Sequence, residues 1–496
     1  MLRALRRLPF VSLAILAVPV RTLLPQKAER LLLDTMTVRA YDGRTVAADL
    51  LRISVPERRP QFGRTITIAA QRLATTAAHP GNPIVFLMGG PGIPGTVMTP
   101  IPPYFTLFQR LRELGDVIII DQRGLGRSEP VLDCPFEGTL PVTAFLRIEG
   151  LVSAIRSQVG SCTAHWRAQG SDPTAYNSLE SADDVDDLRQ ALGVEKIDIV
   201  AFSYGTRLAL AIVQRHGSHV GRVVLQGVNG PGLVVKRPGP VARKLRQLSE
   251  LLRKDSTWHG PTDLLATART ARKRLERAPS TVAVIDRHSG QPVHLPIGRD
   301  GFDAIVSLNL DDARLPALLT SVAAGDTGVL TRFVEGAWNG LSGGTVGLMA
   351  RAVNCAADRP RARWRLVARE SVGAPFGVPI DNAFLTDDFC RATGFNTPAV
   401  EFPHPVRSSI PVLMLTGTLD ATNPIENARD VARGLPNAVV LEIENAAHEA
   451  LPVPDVQDVV MRFLNGGDVR EHRLVASTPH FASIEEASRP PSQRRR

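Results

Sequence analysis

Six short runs of apolar residues punctuate the chain, at 84–87, 117–120, 197–202, 222–225, 412–416 and 439–443. They show little apolar/polar alternation, and most are bounded by Gly, Pro, Asp or Asn. That pattern predicts strands buried on both faces of a parallel sheet. Two more strands are predicted at 51–55 and 64–70, with Pro56, Pro60 and Gly63 as turn signals between them. A helical period separates several of these runs. Over 181–192, Ser181 is placed to cap, Asp183 and Asp184 occupy the first turn, and Val185, Leu188 and Leu192 recur on one face before Gly193 stops the helix. Strands alternating with helices build βαβ units and hence an α/β sheet.

One interval breaks this rhythm. About 180 residues lie between 229 and 409, where a crossover needs only about a dozen. Helical patterns at 243–252, 266–278 and 315–324 predict a mainly helical insertion that caps the sheet. The expected division is a leader or N-terminal anchor over 1–34, sheet domain over 35–228 and 411–475, the cap over 229–410, and a disordered tail over 476–496 that ends SRPPSQRRR. The leader expectation comes from a basic start (Arg3, Arg6, Arg7) followed by the apolar run VSLAILAVPV and Arg21, a run too short to span a bilayer. It implies export, with contact to a membrane only through that segment. No later segment reaches transmembrane length without charges.

Composition narrows the function classes. At 44% hydrophobic and 22% charged residues the chain is neither fibrous nor wholly disordered. Its net charge is +9, and all but six of the basic residues are Arg, scattered rather than interleaved with aromatics. That distribution is a solvated surface rather than a nucleic-acid face. Cys134, Cys162, Cys355 and Cys390 show no C-x-x-C spacing, which disfavours zinc or thioredoxin-type chemistry. Neighbour pairing, 134 with 162 and 355 with 390, is the expectation for an exported chain. Sequence alone leaves the other pairings and free thiols open.

The local chemistry begins at Ala201-Phe202-Ser203-Tyr204-Gly205, directly after a predicted buried strand and before a helical run over 206–215. A serine at a sharp strand-to-helix turn needs small residues two positions to either side, because the two backbones crowd there. The turn lifts the Ser203 hydroxyl above the sheet edge and aims the Tyr204 N–H at an oxyanion. A serine hydroxyl needs a base and an orienting acid. Asp420 follows the strand at 412–416, and His448 follows the strand at 439–443. Alone, each is explained as a turn or loop residue. Together, at strand ends and in the order Ser203, Asp420, His448, they match the arrangement of α/β-hydrolases. The loop after 84–87, Met88-Gly89-Gly90-Pro91-Gly92-Ile93-Pro94-Gly95, lets the backbone approach closely and is stiffened by proline, so Gly90 is assigned as the second oxyanion donor. The same loop matches G-x-G-x-x-G. However, Pro91 and Pro94 remove two donors, and no helix pattern or P-loop Lys follows.

These motifs carry a resemblance. GGPG after a strand, DQRGLGRS at 121–128, SYGT at the elbow, GTLDATNP and a late His resemble the prolyl and tripeptidyl aminopeptidase family of α/β-hydrolases, over about residues 51–463. The chain departs from that family's usual residues at Met88, Ala201 and Ala447. The resemblance implies an exported serine peptidase that releases short peptides from free N-termini, with Ser203, Asp420 and His448 as triad and Gly90 and Tyr204 as oxyanion donors. It needs no cofactor. An aminopeptidase must meet the substrate's ammonium with a carboxylate. Glu335, Asp358 and Asp381 are available in the insertion, and Asp358, after Asn354-Cys355, is the one assigned. An esterase or amidase acting on small hydrophobic substrates is the alternative, and a non-catalytic binding protein is a third. In DQRGLGRS, Arg123 is expected to anchor loops rather than touch substrate.

Overall fold

The computed structural model describes residues 31–490 apart from 61–62, 136–139, 343, 397–401 and 403. In chain order the strands are β1 (Leu32–Arg39), β2 (Thr45–Pro56), β3 (Thr65–Leu73), β4 (Ile84–Leu87), β5 (Val117–Asp121), β6 (Asp133–Pro135), β7 (Ile197–Phe202), β8 (Val220–Gln226), β9 (Ser280–Ile285), β10 (Pro292–Ile297), β11 (Thr345–Gly347), β12 (Val412–Gly417), β13 (Ala438–Glu444) and β14 (Leu474–Val475). Ten of them form one sheet in the order β1-β2-β3-β5-β4-β7-β8-β12-β13-β14. From β5 to β14 every neighbouring pair is parallel, while β1, β2 and β3 add an antiparallel ladder on the β5 side.

The apolar runs form central strands because successive residues serve opposite layers. Val85 and Leu87 of β4, Ile199 and Ala201 of β7, and Val412 and Met414 of β12 enter one core. Ile84 and Phe86, Val200 and Phe202, and Leu413 and Leu415 enter the other. The helices Pro102–Leu111 and Pro454–Leu464 cover the second face, through Tyr104, Phe105, Phe108, Val456 and Val460. The helices Ser178–Ala191 and Tyr204–His216 cover the first, and the core there runs on without a break into the insertion.

The described residues of 229–410 hold six α-helices of ten residues or more and several shorter ones, together with the antiparallel hairpin β9–β10. They are tied to the rest of the chain by pairing of β11 with β6. The disulfides Cys134–Cys162 and Cys355–Cys390 form, with Cα–Cα separations of 5.8 and 5.6 Å.

Three sequence expectations are corrected. The interval given to the leader ends too late, because β1 begins at Leu32 and pairs with β2 along its whole length; residues 1–30 lie outside the described residues. The cap of the helix expected from Ser181 is Asn177, whose side chain accepts from the N–H groups of Leu179 and Glu180, so the helix starts a turn earlier and Ser181 is buried. The tail is ordered over 476–490, residues 491–496 lying outside the described residues: Phe481 and Ala487 are buried in the core shared with the insertion, and Ile484–Ser488 is a helix closed by a Ser483/Glu486 capping box. Low local hydrophobicity concealed two apolar anchors that find partners only in the folded cap.

Candidate active site

The turn at Ser203 is forced by crowding. Ser203 sits at φ 53°, ψ −119°, a region that costs a non-glycine residue on the order of 1–3 kcal/mol. Its N–H donates to the Gln226 carbonyl at the end of β8 (2.9 Å), which pins the turn to the neighbouring strand. A Cβ on Gly205 would lie 2.1 Å from the Leu87 carbonyl oxygen, so only glycine lets the helix start this close to β4. Ala201 is wholly buried, and its methyl group is accommodated in the core.

At the carboxyl ends of β7, β12 and β13 the three side chains meet. His448 Nε2 and Ser203 Oγ are 2.9 Å apart, and His448 Nδ1 and Asp420 Oδ2 are 2.8 Å apart. The other Asp420 oxygen, Oδ1, accepts the Thr422 and Asn423 N–H groups at 2.9 and 2.7 Å. With its side chain fully buried, Asp420 is aimed and hydrogen-bonded on both oxygens. The His448 ring lies 4.9 Å from the Phe202 ring, and its carbonyl accepts from Gln226 Nε2. Gly227, at φ +66°, passes behind the ring, where a Cβ would stand 3.0 Å from Cε1. Burial alone would lower the imidazole pKa. Asp420, with help from Asp311, outweighs it and holds His448 above the ordinary value of 6.5. Such a line can move the Ser203 proton to His448 while Asp420 fixes which ring nitrogen carries hydrogen.

The loop after β4 lies directly on this serine. A Cβ on Gly89 would stand 2.7 Å from Ser203 Cβ, and Gly90 follows at φ +112°. Gln122 holds the loop by donating to the Met88 carbonyl. Tyr204 is the first residue of its helix, at the positive end of the helix dipole. Arg123 is fully buried and donates to Asp184 and to the Glu57 and Ala175 carbonyls, a structural clamp.

Asp358 is not brought to the triad. It accepts the Phe402 N–H at 2.8 Å and lines a cavity of about 580 Å³ with Gly232, His404 and Arg433, whose walls include none of the three residues. Glu335 pairs with Arg332 on its own helix. The sequence reading missed Asp311, which accepts from the His448 N–H (3.4 Å) and pairs with Lys244, and also Gln226 and Asn423. Nothing local marks Asp311, but the asparagine two residues after Ala421 in the acid loop was open to notice. Among the described residues there is no cluster of three or more His, Cys, Asp or Glu side chains suited to a metal ion, and no helix long and apolar enough to cross a membrane.

A family model described as the alpha/beta hydrolase fold matches residues 82–454. YuaR of Escherichia coli (strain K12) is 28% identical over 188 residues, 36% of this chain and 35% of that protein. The serine protease Hip1 of Mycobacterium tuberculosis is 27% identical over 206 residues, 40% of this chain and 38% of that protein. The chain therefore spans little more than a third of the curated relatives it matches. A serine hydrolase from a Cycloclasticus bacterium (15% identity, TM-score 0.36) and a thermophilic esterase from Thermogutta terrifontis (16%, 0.36) each align over 84% of this chain and 98% of their own.

Proposed function

The chain belongs to the alpha/beta-hydrolase fold family, and from that premise we propose that it is a serine hydrolase, most specifically an exported aminopeptidase. The observation that carries this reading is the unbroken hydrogen-bonded line from Ser203 Oγ through His448 to Asp420. In the proposed cycle His448 takes the Ser203 proton as the oxygen attacks the acyl carbon. The N–H groups of Gly90 and Tyr204 receive the oxyanion. His448 then returns the proton to the departing amine, leaving an acyl-enzyme that water resolves by the same steps. Two disulfides suit an oxidising compartment and so support export. An ammonium-binding carboxylate is needed for the aminopeptidase reading. Asp311, set against the His448 backbone, is better placed for it than Asp358.

A fluorophosphonate probe should label the wild-type chain and not Ser203→Ala, and the substitution should cost on the order of 10⁴ or more in rate. Labelling that persists in Ser203→Ala rejects the nucleophile. An aminoacyl arylamide should turn over, and its N-acetylated twin should not. Equal rates on the two reject the aminopeptidase and leave the esterase or amidase reading.

A further inference from the structure

We propose that Lys236 is a positioning residue that ties the insertion to the loop carrying Asp420 and, through its charge, tunes the His448 imidazole. This rests on the reading of Ser203, His448 and Asp420 as the reacting line. Lys236 lies where the chain leaves the sheet for the insertion, two residues before the helix Pro238–Lys254. Its backbone is held on both sides by one buried side chain: the Lys236 N–H donates to Asn382 Oδ1 and the Lys236 carbonyl accepts from Asn382 Nδ2, both at 2.8 Å. Asn382 belongs to the turn Ile380–Phe384, far along the insertion.

From that clamp the side chain reaches back to the acid loop. Lys236 Nζ donates to Asn423 Oδ1 at 2.8 Å and to the Thr422 carbonyl at 3.3 Å. An ammonium can only donate, so it fixes which end of the buried Asn423 amide faces it. The amide nitrogen is thereby turned to the Gly227 carbonyl (2.9 Å), on the residue that backs the His448 ring, while the Asn423 N–H holds Asp420 Oδ1. A contiguous path thus runs from insertion to imidazole: Asn382, Lys236, Asn423, Asp420, His448.

The charge matters as well as the contacts. Burial lowers the Lys236 pKa to about 8 despite Asp381 and Asp420, and Arg363 and Arg207 push in the same direction as burial. Its positive charge in turn lowers the His448 pKa, opposing Asp420 and Asp311. Removing it makes His448 more basic, so a larger share is protonated, and unable to accept from Ser203, on the acid side of the profile.

The second-order rate of fluorophosphonate labelling, measured against pH on the full chain, tests this. In Lys236→Met the acid limb should move up, with labelling slower than wild type below it. Lys236→Arg, which keeps the charge, should hold the limb at its wild-type position. If Lys236→Met lacks a cooperative melting transition, Lys236→Gln, a donor without charge, should show the same upward shift. A lower rate with the limb unmoved in the uncharged variant means a plain strut and overturns the proposal, as does wild-type behaviour. Absence of labelling in the wild type fails the Ser203 reading instead, so the two failures are told apart.

Discussion

In the sheet, β4, β7 and β12 are buried at every residue, pressed by a core on each face, whereas the insertion's hairpin β9–β10 alternates buried and exposed positions. The sheet strands are over-determined from both sides and so can hold a strained serine and a fully buried aspartate at their ends. The insertion leans on the sheet from one side. It is held by a disulfide between the helices Leu348–Ala356 and Asp387–Ala392, by the β6–β11 pair, and by the tail helix docked through Ala487. One region has the rigidity that proton transfer demands. The other reaches the reacting line through Asp311 and Lys236.

The largest expected effect is where the helix Tyr204–His216 starts against β4 of the sheet. Gly205→Val drives a side chain into the Leu87 carbonyl, and should destabilise the fold by about 3 kcal/mol or more and abolish labelling of Ser203. The paired change Ala201→Gly adds no clash and should stay within about 1 kcal/mol of wild type by chemical denaturation. If Gly205→Val melts like wild type, the sheet is not the rigid partner described above.

A smaller effect is expected in the insertion. Replacing Cys355 and Cys390 together by serine should cost about 2–4 kcal/mol, seen as earlier cleavage within 229–410 by limited proteolysis, while Ser203 still labels. Loss of labelling in parallel with proteolysis would mean that the two regions unfold as one unit.

The smallest is a shift in pH profile. Because His448 is held above 6.5, labelling should rise with pH through a value higher than an ordinary histidine's. Its contribution to stability has the opposite sense: a raised folded pKa stabilises fully below the unfolded value and is lost as pH rises through the folded one. Asp420→Asn should lower that limb the most, and Asp311→Asn, a change in the insertion, by less. Equal shifts would make the insertion as strong an electrostatic partner as the sheet.

The strands at 84–87 and 197–202 are visible in the residue pattern because burial on both faces demands an unbroken apolar run, and the elbow is visible because only small residues fit beside Ser203. Asp420 and His448 could be picked out because strand ends are where α/β sheets present side chains, although a one-dimensional pattern cannot bring them within 2.9 Å of anything. The same limit applies to Asp358: being an acid in the insertion says nothing about which way it faces, and it accepts the Phe402 N–H beside a cavity whose lining includes none of the triad. Strand identity, turn chemistry and the order of the reacting groups are thus local properties that the amino acids determine by themselves. The convergence of the triad, the docking of Phe481, and the reach of Lys236 and Asp311 to the imidazole depend on contacts between residues far apart in the chain. Those contacts only tertiary packing decides, because their free energy exists only once both partners have been brought together.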